Sequence, residues 1–330
     1  MRLWRQSLLA AVLLVSLLGA GALCWLNAPL GVPASGVDLS IDPGTSPKAI
    51  AATVREAGAQ TNPTLLYAWF RLSGQARSIK AGSYEITSDT TPRSLLRKLV
   101  RGEESLQALT LVEGWNLRQV RAALKAAPDL QDTTSSLSEA ELMAALGRPN
   151  LAAEGRFYPD TYTYAKRSTD MALLARALRA MDQRLARTWA QRAPDVSVRT
   201  PDEALILASI VEKETGRASD RAMIASVFHN RLRIGMPLQT DPTVIYGLGE
   251  RFDGNLRKKD LQTDTPWNTY TRGGLPPTPI AMPGQAALLA AVQPARSKAL
   301  YFVARGDGSS QFSETLQAHN QAVNLYQRSK

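Results

Sequence analysis

The sequence predicts an α+β protein with a single apolar helix at its N-terminus. Three observations carry that prediction. Residues Leu8 to Leu26 form an uncharged apolar run. Between residues 37 and 127, a short strand followed by an amphipathic helix occurs three times. From residue 154 onward, capped helices alternate with loops rich in proline, glycine, threonine and amides. The 330 residues are 44% hydrophobic and 21% charged, the balance of a folded chain with room for two or three domains. One cysteine and two histidines, His229 and His319, exclude a disulfide framework and a Cys/His zinc cluster. They leave carboxylates, hydroxyls and amides as the main reactive groups, and no metal or cofactor is expected.

The run Leu8–Leu26 (LLAAVLLVSLLGAGALCWL) matches the roughly 20 apolar residues that span a bilayer as a helix. Arg2 and Arg5 precede it and no acid does, which predicts a cytoplasmic N-terminus and a single-pass anchor. A cleaved signal peptide is the alternative, with Ala20-Gly21-Ala22 as a cleavage pattern. The apolar run is longer than the usual signal core of about 7–15 residues. A lipoprotein reading of Cys24 is opposed by bulky Leu23 before it. The chain beyond the run is expected outside the cytoplasm. Arg2 and Arg5 supply two of the net +10, leaving +8 there.

The three repeats read as follows. Strand Val37–Ile41 precedes a helix capped by Ser46 with Pro47 in its first turn. Strand Tyr84–Ile86 precedes a helix capped by Thr91 with Pro92, and strand Leu109–Val112 precedes a helix capped by Asn116. Proline costs nothing at the first helical position, where its missing N–H would be unpaired anyway. Ile50 and Val54, Leu95, Leu96 and Leu99, and Leu117, Val120 and Leu124 recur at helical spacing. A further helix is expected over Pro63–Leu72. Residues 37–127 thus form a small α+β domain in which each strand packs on its own helices. The Gly82-Ser83-Tyr84 turn resembles LysM modules, which bind the sugar backbone of peptidoglycan; a structural spacer is the plain alternative. Residues 128–153 read as a polar connector with one short helix, and Asp132–Ser138 is its most linker-like part.

Thr200-Pro201-Asp202-Glu203 is a capping box, with Glu203 reaching back to the cap. The helix EALILASIVEKET follows, with Gly216 as its stop. At 100° per residue, Glu214 lies about 20° from Leu207 and continues the face of Ile206, Leu207, Ile210 and Val211. Glu212 falls on the side of Leu205, Ala208 and Ser209. A carboxylate on an apolar face at a helix C-terminus is disfavoured as the anion, both by desolvation and by the helix dipole. Glu214 is therefore a candidate general acid; two solvated glutamates at a fraying helix end are the alternative. Ser219 is expected to cap the next helix, which ends at Gly235. His229 lies in its last turns and reads as structural. The loops Leu238–Thr243 and Trp267–Ile280 are dense in hydroxyls, amides, aromatics and proline, which suits sugar recognition. Residues 265–306 hold no acid and four basic residues.

Four of these segments, ASIVEKET (208–215), VFHNRLRIGMPLQTDPTVIYG (227–247), NTYTRGGLPPTPI (268–280) and EGRFYPDTY (154–162), closely resemble the endolytic murein transglycosylase family (MltG, YceG-like). The resemblance covers essentially the whole chain. It implies a cytoplasmic tail (1–7), a transmembrane anchor (8–26), a LysM-like α+β domain (37–127), a connector (128–153) and a mixed α+β catalytic domain (154–330). It implies a lyase of the bacterial inner membrane, facing the periplasm, that cuts MurNAc-β-1,4-GlcNAc bonds within peptidoglycan strands and leaves 1,6-anhydroMurNAc ends. Glu214 matches the family's catalytic acid. Gln239, Thr240, Asp241, Tyr246, Asn268 and Tyr270 match residues thought to line its cleft, and Glu212 matches the first glutamate of the motif. Glycan-polymerising synthases (penicillin-binding proteins) are the implied partners. Gly216, where Ala is common, and Thr278, where Gly is usual, are departures from the family pattern.

Two other readings stay open. A true glycoside hydrolase would need a second carboxylate at a defined separation, from Asp241 or Glu250. A noncatalytic wall-binding scaffold would need none. Nucleic-acid binding is not expected, because the basic charge is unaccompanied by a basic/aromatic motif and lies outside the cytoplasm.

Overall fold

The structure is a computed structural model that describes residues 2–34, 36–214 and 217–328. The helix stop expected at Gly216 lies outside the described residues. The chain packs as two compact units, residues 1–107 with 163–167, and residues 108–162 with 168–330. The crossings fall near strands β3 (Leu106–Thr110) and β4 (Thr161–Ala165).

The first unit opens with helix α1 (Arg2–Asn27), of which Leu9–Asn27 is long and apolar enough to cross a membrane once, with mean hydropathy 2.3. Strand β1 (Val37–Ile41) follows, with helices α2 (Pro47–Glu56) and α3 (Pro63–Leu72), strand β2 (Gly82–Ile86) and helix α4 (Pro92–Arg101). The expected caps form: Ser46 accepts from Ala49 N–H, and Thr91 and Ser94 make a reciprocal capping box. The expectation of one strand for each set of helices is corrected here. β1 and β2 pair antiparallel, from Val37 opposite Ile86 to Ile41 opposite Gly82. Their apolar faces share one core with Ile50, Val54, Leu66, Phe70, Leu95 and Leu99. A two-residue side-chain period presents Leu39, Ile41, Tyr84 and Ile86 to the same side, so one sheet serves all three helices.

The third repeat packs with the second unit, not the first. Its strand starts earlier than expected, at Leu106, and its helix α5 (Leu117–Ala126) carries the expected Asn116 cap, reciprocated by Gln119. The connector holds helix α6 (Glu139–Ala145). It is not a free linker. The buried Asp170 carboxylate accepts hydrogen bonds from Thr133 and Thr134, both backbone and hydroxyl, and Arg121 donates to the Thr134 and Leu137 carbonyls. The rest of the unit comprises helices α7 (Asp170–Ala190), α8 (Pro201–Glu214), α9 (Ala218–Arg233), α10 (Asp241–Leu248), α11 (Lys258–Gln262), α12 (Gln285–Val292) and α13 (Leu316–Val323), with antiparallel hairpin β5 (Tyr301–Ala304) and β6 (Ser310–Ser313).

Helix α8 is the centre of this unit, packed by α7, α9, α10 and α12. Its residues 204, 205 and 207–211 are all buried, so the expected single apolar face is a buried girdle. At its start Thr200 accepts from Glu203 N–H as expected, but the Glu203 carboxylate reaches one residue further back, to Arg199 N–H. Ser219 is not the cap of α9. That helix begins at Ala218, and the Ser219 hydroxyl donates to Asp220.

Candidate active site

The C-terminal turn of α8 delivers Glu214 to the loop before α10. The Thr240 hydroxyl donates a hydrogen bond to the Glu214 carboxylate. Thr240 is itself 2% exposed and held from several sides. Its N–H donates to Thr269 Oγ1 (3.1 Å), and its carbonyl accepts from Thr243 Oγ1 (2.7 Å). The hydroxyls of Thr243 and Thr269 meet at 2.9 Å. Asp241, the first residue of α10, accepts from the Tyr270 hydroxyl at 2.6 Å. Gln239 N–H donates to the Thr269 carbonyl (3.1 Å), and the residue stands exposed at φ +47. Five of the expected residues, Glu214, Gln239, Thr240, Asp241 and Tyr270, thus lie in one linked group.

Electrostatics in this group favour a protonated carboxyl. Desolvation, foremost, pushes the Glu214 pKa up to about 6, and the nearby Asp241 carboxylate adds to the rise. The Thr240 hydrogen bond and the charge of Arg231 oppose it. Burial, and then the hydrogen bond to Asp241, raise the Tyr270 phenol above its usual range. The sequence reading missed Arg231. This 7%-exposed side chain donates to the carbonyls of Leu300 (2.7 Å) and Leu238 (2.7 Å), so it braces the loop that carries Gln239 and Thr240. An arginine within the buried length of α9 is the signal that could have found it.

The other expected residues lie in different settings. Glu212 accepts from Gly284 N–H at 3.0 Å, at the start of α12. Burial, with Glu113 beside it, raises its pKa. A side chain at position 284 would collide with the Glu113 carboxylate, so Glu113 and Glu212 both crowd this helix start. The Tyr246 hydroxyl donates to Glu154 (3.1 Å), and its ring meets Trp267 edge-on at 5.4 Å. Asn268 has its side chain engaged within the protein. It is fully buried, its amide donates to the carbonyls of Leu261 (3.0 Å) and Thr263 (2.7 Å), and its oxygen accepts from Tyr270 N–H (2.8 Å). Asn268 is therefore a brace for Tyr270.

Glu154 is a second residue that sequence reasoning passed over, although it opens the EGRFYPDTY segment. It is 3% exposed and accepts from Leu117 N–H (3.0 Å), Gly155 N–H (3.2 Å) and Tyr246. Desolvation outweighs these bonds and pushes its pKa up to about 7. Gly155 beside it sits at φ +77, where any side chain would strike the Pro279 ring. Thr278, a departure from the family pattern, accepts from the Trp267 indole N–H at 2.9 Å and so closes the same cluster.

His229 is structural. Its Nδ1 accepts from Ser197 N–H (3.0 Å) and the Ser197 hydroxyl (2.7 Å), and its Nε2–H donates to the Ala291 carbonyl (2.9 Å). Of the two carboxylates considered as partners for Glu214, Glu250 sits in an exposed ion pair with Arg118 at 3.5 Å. Only Asp241 adjoins Glu214 electrostatically. Among the described residues, no group of three or more His, Cys, Asp and Glu is placed to hold a metal ion.

The model of the YceG-like family matches residues 39–325. An endolytic murein transglycosylase of Bacillus subtilis is 30% identical over 311 residues, covering 89% of this chain and 86% of that protein. One from Streptococcus pneumoniae is 29% identical over 329 residues, covering 89% of this chain but 59% of its own length. The crystal structure of a YceG-like protein from Listeria monocytogenes superimposes with a TM-score of 0.55 at 28% identity, covering 87% of this chain and 98% of that one.

Proposed function

The chain belongs to the YceG-like family, and on that premise we propose that it cuts MurNAc-β-1,4-GlcNAc bonds inside peptidoglycan strands and leaves 1,6-anhydroMurNAc ends. It is an enzyme, a murein transglycosylase and hence a lyase. The observation that supports Glu214 as the acid is its half-buried carboxyl, raised to about 6 and aimed by Thr240. In the forward step, the Glu214 carboxyl protonates the departing glycosidic oxygen as the C1–O bond breaks. The MurNAc C6 hydroxyl attacks C1, and its proton returns to the Glu214 carboxylate, which restores the acid. No water is consumed. A tethered hydroxyl reacts at high effective concentration, so a second catalytic carboxylate is not required. Exposed Gln239 and the Asp241–Tyr270 pair are suited to hold sugar hydroxyls beside Glu214.

The remaining parts of the reading follow from this. Helix α1 acts as an uncleaved anchor in the cytoplasmic (inner) membrane, with Arg2 and Arg5 on the cytoplasmic side and the catalytic unit outside. The likeness of the Gly82-Ser83-Tyr84 turn to LysM modules supports a glycan-docking role for the first unit. Anchoring keeps the site beside newly made strands, where the enzyme ends elongation in company with peptidoglycan synthases.

Asp241 beside Glu214 supports one competing reading, a hydrolase with Asp241 as second carboxylate. Mass spectrometry of products from purified peptidoglycan separates the two. Anhydro ends from the wild type, with no cleavage by Glu214→Gln, support the lyase. Reducing ends support the hydrolase, and no cleavage by the wild type supports a scaffold.

A further inference from the structure

A cleft of about 1000 Å³ opens on the far side of α9 from the Glu214 site. Asn230 and Arg233, three residues apart, face it together. Arg231, which braces the Glu214 loop, points about 160° away from Arg233 around the helix. The cleft is built around Asn230. Its amide donates to the carbonyls of Ser297 (2.8 Å) and Ala299 (2.9 Å), which fixes the opposite loop against α9. Its oxygen accepts from Arg233 Nη1 (2.7 Å), while Arg233 Nη2 donates to the Asp195 carbonyl (3.1 Å). The guanidinium is thus held from both walls with N–H groups to spare.

Five charged side chains line this space: Arg233, Arg296, Lys298, Asp195 and Glu314. Among the described residues, none of the five forms an ion pair with a protein group. His229 in the same wall adds no charge, because burial lowers its pKa and both ring nitrogens are engaged. Three cations and two carboxylates therefore line one concave volume with no ion pair among them. That volume lies at the upper end of the range of small-ligand sites. A concave surface lined in this way concentrates ligands of matching charge, and a fixed guanidinium matches a carboxylate in geometry as well as charge.

We propose that this cleft binds the short peptide that peptidoglycan strands carry, with its carboxylates on Arg233, Arg296 and Lys298 and its free amine on Asp195 or Glu314. The proposal rests on the peptidoglycan reading above and adds to it a second contact with substrate, remote from the bond being cut. The chemistry required is zwitterionic, which a sugar chain without its peptides lacks.

The test is a binding titration of the full-length Glu214→Gln protein in detergent, so that no cleavage intervenes. The probes are a muramyl pentapeptide and a peptide-free GlcNAc–MurNAc oligosaccharide. Muramyl pentapeptide is expected to shift amide signals of residues 229–233 and 295–298, and the oligosaccharide is not. Adding the exposed pair Arg296→Ala and Lys298→Ala is expected to weaken muramyl pentapeptide binding about tenfold or more, with the melting temperature unchanged. Equal binding with and without the pair, or signals shifted only near Glu214, would overturn the proposal. Because cleavage of strands is read separately from product ends, a failure here is distinguishable from a failure of the lyase reading.

Discussion

The Thr240 hydroxyl and the Asp241 carboxylate act on Glu214 in opposite directions, and that opposition can be measured. Thr240 lowers the Glu214 pKa by donating to its ionised form, whereas Asp241 raises it by charge repulsion. A hydrogen bond to a charged group contributes about 1.5–3 kcal/mol, and one pKa unit corresponds to 1.36 kcal/mol. Thr240→Val should therefore raise the Glu214 pKa from about 6 by roughly 1–2 units. Asp241→Asn keeps an acceptor for the Tyr270 hydroxyl but removes the repelling charge, so it should lower the pKa. A general acid works only while protonated, so kcat/KM falls as pH rises through its pKa. The assay is the initial rate of strand cleavage at low substrate, from about pH 4 to 9. The falling limb should move to higher pH in Thr240→Val and to lower pH in Asp241→Asn. Limbs that stay fixed in both variants, or move the same way, would refute the assignment of that limb to Glu214.

Two further outcomes test the braces around this group. Glu154 has its pKa raised to about 7 from an ordinary value of 4.5, so the folded state holds its proton more tightly than the unfolded one. Its contribution to stability is therefore lost as pH rises from 4.5 to about 7, a cost of roughly 3 kcal/mol once the group is ionised. Glu154→Gln keeps an acceptor for the Leu117 and Gly155 N–H groups and carries no ionisable group, so melts between pH 5 and 8 should show a flatter profile, with stability at pH 8 no lower than wild type. Glu154→Leu orphans those partners and should cost about 3 kcal/mol or more; equal losses in both variants would contradict this account. Asn268→Ala strips the Leu261 and Thr263 carbonyls and the Tyr270 N–H of their partner. It should lower stability in urea by several kcal/mol at roughly 1–3 kcal/mol per orphaned buried group, and an unchanged midpoint would restore Asn268 as a substrate contact.

Local signals carried well from sequence to structure, and long-range ones did not. β1 runs over the residues that alternation marked and α2 keeps its Ser46 cap, because strand period and a Ser-Pro start are local properties. The partly buried setting of Glu214 was legible because helical position is also local. The pairing of β1 with β2 spans more than forty residues and left no periodic trace, so two strands read as separate units. The third repeat looks like the first two, yet Glu154 ties its helix start at Leu117 into the second unit. Asn268 and Glu154 show the same limit from the side of chemistry. An amide in a polar loop and a carboxylate in a motif read as ligand contact and background; their roles depend on which carbonyls and N–H groups the fold brings within 3 Å or so. Asp132–Ser138 read as a linker from its composition, and the distant Asp170 carboxylate is what orders Thr133 and Thr134.

The central claim is that Glu214 drives cleavage with the substrate's own hydroxyl as nucleophile. The most direct measurement is the mass of the new strand ends when purified peptidoglycan is treated with wild type and with Glu214→Gln in water enriched in oxygen-18. The account expects wild-type ends that are anhydro, one water lighter than reducing ends and free of the label, and none from Glu214→Gln. Labelled reducing ends from the wild type, or undiminished cleavage by Glu214→Gln, would contradict it.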